Sequence, residues 1–69
     1  ARLVLAEVLM RQKQFNEAAK YYTSVALLYD DTNLTLIALK QAAEAYRQAG
    51  NLEEAKRFET DYKKRLQNE

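Results

Sequence analysis

Few residues in this chain could do chemistry, and none stands beside a partner that would activate it. The 69 residues include no histidine and no cysteine, which removes the commonest general base, the commonest metal ligands and any thiolate nucleophile. Ser24 therefore has no base to take its proton. The acidic pairs Asp30-Asp31 and Glu53-Glu54 fall at turns or helix starts, where capping and the helix dipole account for them. With Gly50 as the one glycine, a glycine-rich phosphate loop is out of reach. The expectation is a chain with no catalytic, cofactor or metal site, and no enzyme.

Two groups of side chains could serve binding instead. Asp61-Tyr62-Lys63-Lys64-Arg65 looks like a basic patch, but cations near a helix C-terminus complement its dipole, and a solvated helix end explains them better. Eleven Lys/Arg against ten Asp/Glu give a net charge of +1, well short of the basic surface that nucleic acid demands. Tyr21, Tyr22, Tyr29, Tyr46 and Tyr62 could stack on bases. Their helical spacing fits inward or inter-element packing better, where a large ring with a polar tip is at home.

Positioning these groups falls to helices. Prolines are absent and the apolar residues recur at helical spacing. A first helix covers Leu3 to Gln12, with Leu5, Ala6, Leu9 and Met10. After a polar break at Lys13-Gln14, a second runs from Phe15 to Tyr29 with Ala18, Tyr21, Tyr22, Val25, Ala26 and Leu28. Asp30-Asp31-Thr32-Asn33 forms the next break. A third helix, Leu34 to Ala49, carries Ile37, Leu39, Ala42, Ala43 and Tyr46, and Gly50 ends it as a left-handed C′ residue. Asn51 with Glu54 then reads as a capping box opening a fourth helix that runs to about Gln67. No apolar run approaches the ~20 residues of a membrane span.

The chain repeats itself at a shift of 37 residues. Ala6 falls on Ala43, Glu7 on Glu44, Glu17 on Glu54, Ala18 on Ala55 and Thr23 on Thr60. Phe15 falls on Leu52, Lys20 on Arg57, Tyr21 on Phe58 and Leu9 on Tyr46. Small residues coincide with small ones and large with large.

On these positions the segments AEVLMRQKQFNEAAKYYTSVALLYDD and AEAYRQAGNLEEAKRFETDYKKRL resemble tetratricopeptide repeats, most closely in the turn AGNLEEA at 49–55. The resemblance implies an all-α fold: two tandem antiparallel helix-turn-helix hairpins, four helices in all, forming a right-handed α-solenoid fragment. Residues 1–69 are one domain, with repeat 1 at about 2–31 and repeat 2 at about 34–68. It further implies that Ala6 and Ala43 in the A helices, with Ala18 and Ala55 in the B helices, let each pair approach closely, while Phe15 and Leu52 close the hairpins. Departures from the family pattern are the longer period, the missing proline after helix B, and Glu59 and Tyr62 in place of an aromatic and a small residue. The extra length is placed in the Asp30–Asn33 connection. A connection of this kind resembles some bacterial repeat proteins, including the TolA-binding periplasmic type.

Function in the family is protein binding, in a concave groove lined by the A helices. Carried over by register, that groove takes Val4, Glu7, Met10 and Arg11 from the first repeat. From the second it takes Ile37, Lys40, Gln41, Glu44, Arg47 and Gln48. Mixed charges on long side chains suit an extended peptide or a partner helix. Some members clamp the carboxylate tail of chaperones with Lys and Asn, but here Leu3 and Glu7 occupy those places, and Glu7 would repel a carboxylate.

The two ends of the pair differ. Val25, Ala26, Leu27 and Leu28 become Tyr62, Lys63, Lys64 and Arg65 in the second repeat, so the face awaiting a third repeat is polar, as a terminal repeat requires. Leu3, Val4, Leu5, Val8 and Leu9 crowd the first helix with more apolar surface than one neighbour covers. Leu3, Val4 and Val8 are therefore expected to meet an upstream repeat or a second copy of the chain. The expectation is the closing end of a longer array that acts as a scaffold for a protein or peptide partner; the alternative is a self-assembly module. Neither a nucleic acid nor a membrane is an expected partner, and the compartment, cytoplasm or bacterial periplasm, stays open.

Overall fold

A computed structural model describes residues 2–28 and 30–67, except for the side chain of Arg2. Four helices follow one another: α1 (Arg2–Arg11), α2 (Phe15–Leu28), α3 (Thr32–Gln48) and α4 (Leu52–Gln67). Each packs on the next, so the order in space is the order in sequence. The resulting slab measures 34 × 27 × 14 Å. Being little more than one helix thick, it leaves no helix surrounded, and small residues carry its core. Ala6, Ala18, Ala19, Ala42 and Ala45 are fully buried and cluster with Tyr22. Leu3, Leu9, Met10, Tyr21, Tyr46 and Phe58 pack around them, half-buried. Val25 is the largest side chain fully withdrawn from solvent among the described residues.

Both hairpins turn through the same hydrogen-bonded motif. At the first, Lys13 N–H donates to Met10 O (3.0 Å) and Gln14 N–H to Leu9 O (2.9 Å). At the second, Gly50 N–H donates to Arg47 O (3.0 Å) and Asn51 N–H to Tyr46 O (2.8 Å). This is the Schellman arrangement, and it requires a left-handed residue at C′. Gly50 supplies it at φ 85°, and Lys13 does so at φ 62° despite its Cβ.

Several local expectations need correcting. The Asn51–Glu54 capping box does not form, because the Asn51 N–H it would use is donated to Tyr46 and the Glu54 carboxylate accepts from Arg57 at 2.9 Å. The extra residues of the repeat lie in α3, seventeen residues long, and not in a longer connection. Asp31 makes this possible: its Oδ1 accepts from Leu34 N–H at 3.1 Å, so the helix starts at Thr32. Leu52 does not close its hairpin as Phe15 does; Phe15 is half-buried, whereas Leu52 is exposed. Leu27 and Leu28 are also exposed, because the buried stripe of α2 passes through Ala18, Ala19, Tyr22 and Val25 and the two residues that end the helix fall off that face. Tyr22 is buried, and Tyr21, Tyr46 and Tyr62 are half-buried; Tyr29 lies outside the described residues.

Candidate protein-binding surface

Candidate binding residues fall into two sets with different surroundings. On α3, Lys40, Gln41, Glu44 and Arg47 lie along one side of the helix. They face Glu59, Tyr62 and Lys63 of α4 across a cleft of about 390 Å³ floored by Ala43. The helical period makes this possible: 40, 44 and 47 fall on one stripe, and Ala43 and Ala55, both buried, bring the two helices together beneath it. The Tyr46 and Phe58 rings stack 5.4 Å apart between the same two helices.

Charges in the cleft are organised. The Glu44 carboxylate accepts from Arg47 and, at 2.9 Å, from Gln48 Nε2. The Arg47 and Gln48 hydrogen bonds hold the Glu44 carboxyl below its ordinary pKa. Lys63 pairs with Glu59 at 3.2 Å. Lys40 makes no ion pair among the described residues, so the cleft carries one cation free for an incoming anion.

The other set is dispersed. Val4, Glu7 and Arg11 are exposed on α1, and Ile37 is exposed near the start of α3. Met10 is turned inward against the core cluster, because it shares the buried stripe of Ala6. Leu3 does the same, so the open face of α1 is formed by Val4, Leu5 and Val8. Sequence reasoning missed Glu59, Tyr62 and Lys63 as lining residues. The shift of 37 could have found them: they stand where Tyr22, Val25 and Ala26 stand in α2, the helix on which α3 packs. A wider hollow of about 860 Å³ follows α4 past Lys56, Thr60 and Lys64, but its walls all come from that one helix.

A family model for the tetratricopeptide repeat matches residues 1–68. The chain belongs to the tetratricopeptide repeat family. The searches of curated proteins and of solved structures returned no match. Tetratricopeptide repeats are, in general, protein–protein interaction modules and non-catalytic scaffolds. Two features bear on the chemistry available to this one. Among the described residues no three His, Cys, Asp or Glu side chains gather as metal ligands would. No described helix is long and apolar enough to cross a membrane.

Proposed function

We propose that this tetratricopeptide pair is a non-catalytic scaffold that holds a peptide or helix of a partner protein. Its contact surface is the A-helix side, from Val4, Glu7 and Arg11 to Ile37, Lys40, Gln41, Glu44, Arg47 and Gln48. The observation that carries this reading is the α3–α4 cleft, where charged and hydrogen-bonding side chains surround a half-buried Tyr62. Such a surface orients a polar ligand through side chains already held by Glu44 and Glu59, which lowers the ordering cost of binding. The uncompensated Lys40 favours partners with an acidic side chain at that point.

Selection of a displayed peptide library on the immobilised chain tests this. Enriched peptides should be acidic, and Lys40→Glu with Arg47→Glu should weaken them by about 2 kcal/mol or more, roughly thirtyfold. Equal binding to both proteins would dismiss the cleft.

A second reading has its own support: Val4, Leu5 and Val8 form an exposed apolar face on α1. In it, the chain assembles with itself. Sedimentation equilibrium tests this reading directly, since a mass fixed at the monomer value over the accessible concentrations would exclude it.

A further inference from the structure

The internal repeat allows the two ends of the molecule to be compared position by position. Where α3 meets the first hairpin it presents Ala42 and Ala45, both 0% exposed, to Ala19 and Tyr22. The same positions on α1 hold Leu5 and Val8, which are 50% and 41% exposed, and Val4 beside them is 58% exposed. On α4, the counterparts of Ala19 and Tyr22 are Lys56 and Glu59, both exposed.

These equivalences decide how two copies can meet. Stacked head to tail, one copy would lay Leu5 and Val8 on Lys56 and Glu59 of the next. That contact would desolvate the Glu59–Lys63 pair against aliphatic groups and give it nothing in return. Leucine and valine in place of alanine would also hold the helices apart, where the internal junction depends on close approach. The α1 face suits another apolar face, and a second copy of the chain offers the same Val4, Leu5 and Val8 patch. A contact of one patch with itself is a closed twofold.

Charge supports the same arrangement. Glu7 and Arg11 lie at one margin of the patch, and neither has an ion-pair partner among the described residues. By contrast, Glu17, Glu44, Glu54, Glu59 and Asp61 are all paired within their own helices. In an antiparallel pair like margins face each other, so Glu7 of one copy comes alongside Arg11 of the other, twice.

We infer that the chain forms a twofold dimer through α1, with the two α1 helices antiparallel and Val8 near the axis. This rests on the self-assembly reading and gives it a geometry. With ten residues of helix from each side, the contact belongs to the small interfaces below about 1,200 Å², so the dimer exchanges with monomer.

The test uses the whole chain, which has no native cysteine, in sedimentation equilibrium and oxidative cross-linking. The mass should saturate at the dimer, and Val8→Cys should cross-link to a covalent dimer, since a disulfide needs Cα atoms within about 7 Å. Glu7→Arg should weaken the dimer on the order of tenfold, from two pairs at up to ~1 kcal/mol each. Adding Arg11→Glu should restore it. All four substituted positions are exposed or half-exposed, and circular dichroism confirms that each variant keeps its fold. If self-association persists but Val8→Cys does not cross-link, while Val8→Cys with Glu59→Cys gives a ladder of multimers, the assembly is head to tail. That would overturn the twofold and leave self-assembly standing. Failure of Arg11→Glu to rescue would overturn the antiparallel charge match. A monomer at every concentration would remove both the dimer and the reading beneath it.

Discussion

The two hairpins turn alike and differ outside. Lys13 and Gly50 occupy the same left-handed position with the same pair of backbone hydrogen bonds. Backbone groups that must be satisfied impose the turn, and a lysine will adopt it when nothing better is present. The faces follow another rule. α1 exposes Val4, Leu5 and Val8, α3 buries Ala42 and Ala45 at the equivalent of the last two, and α4 exposes Lys56 and Glu59 where α2 buries Ala19 and Tyr22. The architecture is therefore held by backbone and small residues, while the identity of each face is left to a few side chains that can vary independently.

Giving α3 the face of α1 should break the comparison most severely. Ala42→Leu with Ala45→Val inserts bulk where both alanines are fully buried, at about 1–3 kcal/mol each. A domain of this size holds roughly 3–10 kcal/mol in total, so the double variant should be largely unfolded in urea titrations followed by circular dichroism. The converse, Leu5→Ala with Val8→Ala, acts on half-exposed positions of higher alanine helix propensity and should cost less than about 1 kcal/mol. Equal losses from the two variants would mean that the α2–α3 junction is not set by close approach.

The turns offer a smaller and cleaner contrast. Lys13→Gly removes the Cβ penalty of the left-handed conformation, about 1 kcal/mol, and should raise Tm by about 4–8 °C. Gly50→Ala should lower it by a similar amount. Nothing lies within 4 Å of a Cβ built at Gly50, so its cost is conformational and owes nothing to packing. Opposite signs from the two substitutions are the expected result; a neutral Lys13→Gly would mean that the lysine stem repays its strain through contacts along α2.

The helices, their order, the repeat and the family were legible because they rest on periodicity and small residues, signals spread over many positions. What escaped was set by single groups. Asp31 capping Leu34 moved the start of α3 and absorbed the extra length of the repeat. The Asn51 N–H can be donated once, and the turn before α4 took it from the capping box. By register Leu3 and Met10 belong to outer faces, yet a rotation of one position on a ten-residue helix turns them to the core. Half of the cleft follows from periodicity, since α3 supplies its charges in one stripe, but the α4 wall needs the distance between two helices, which no single-helix pattern contains.

The smallest expected effect separates Tyr22 from its counterpart Glu59. Both stand at the same point of a B helix, one buried at 3% exposure and the other exposed and paired with Lys63. Burial, with the Glu7 charge as the lesser cause, raises the Tyr22 phenol above its ordinary value of about 10. A raised pKa means the folded chain holds this proton more tightly than the unfolded chain does. Its contribution to stability is complete below about pH 10, and it is lost as pH rises through the folded pKa. Stability against urea should therefore fall in alkali more steeply for the wild type than for Tyr22→Phe, with Glu7→Gln between them. The remaining side chains that could respond to alkali are common to all three proteins, so the difference between curves is the quantity to read. Parallel curves would show that the ring is buried while its hydroxyl remains in water, and the first hairpin would then differ from the second in packing alone.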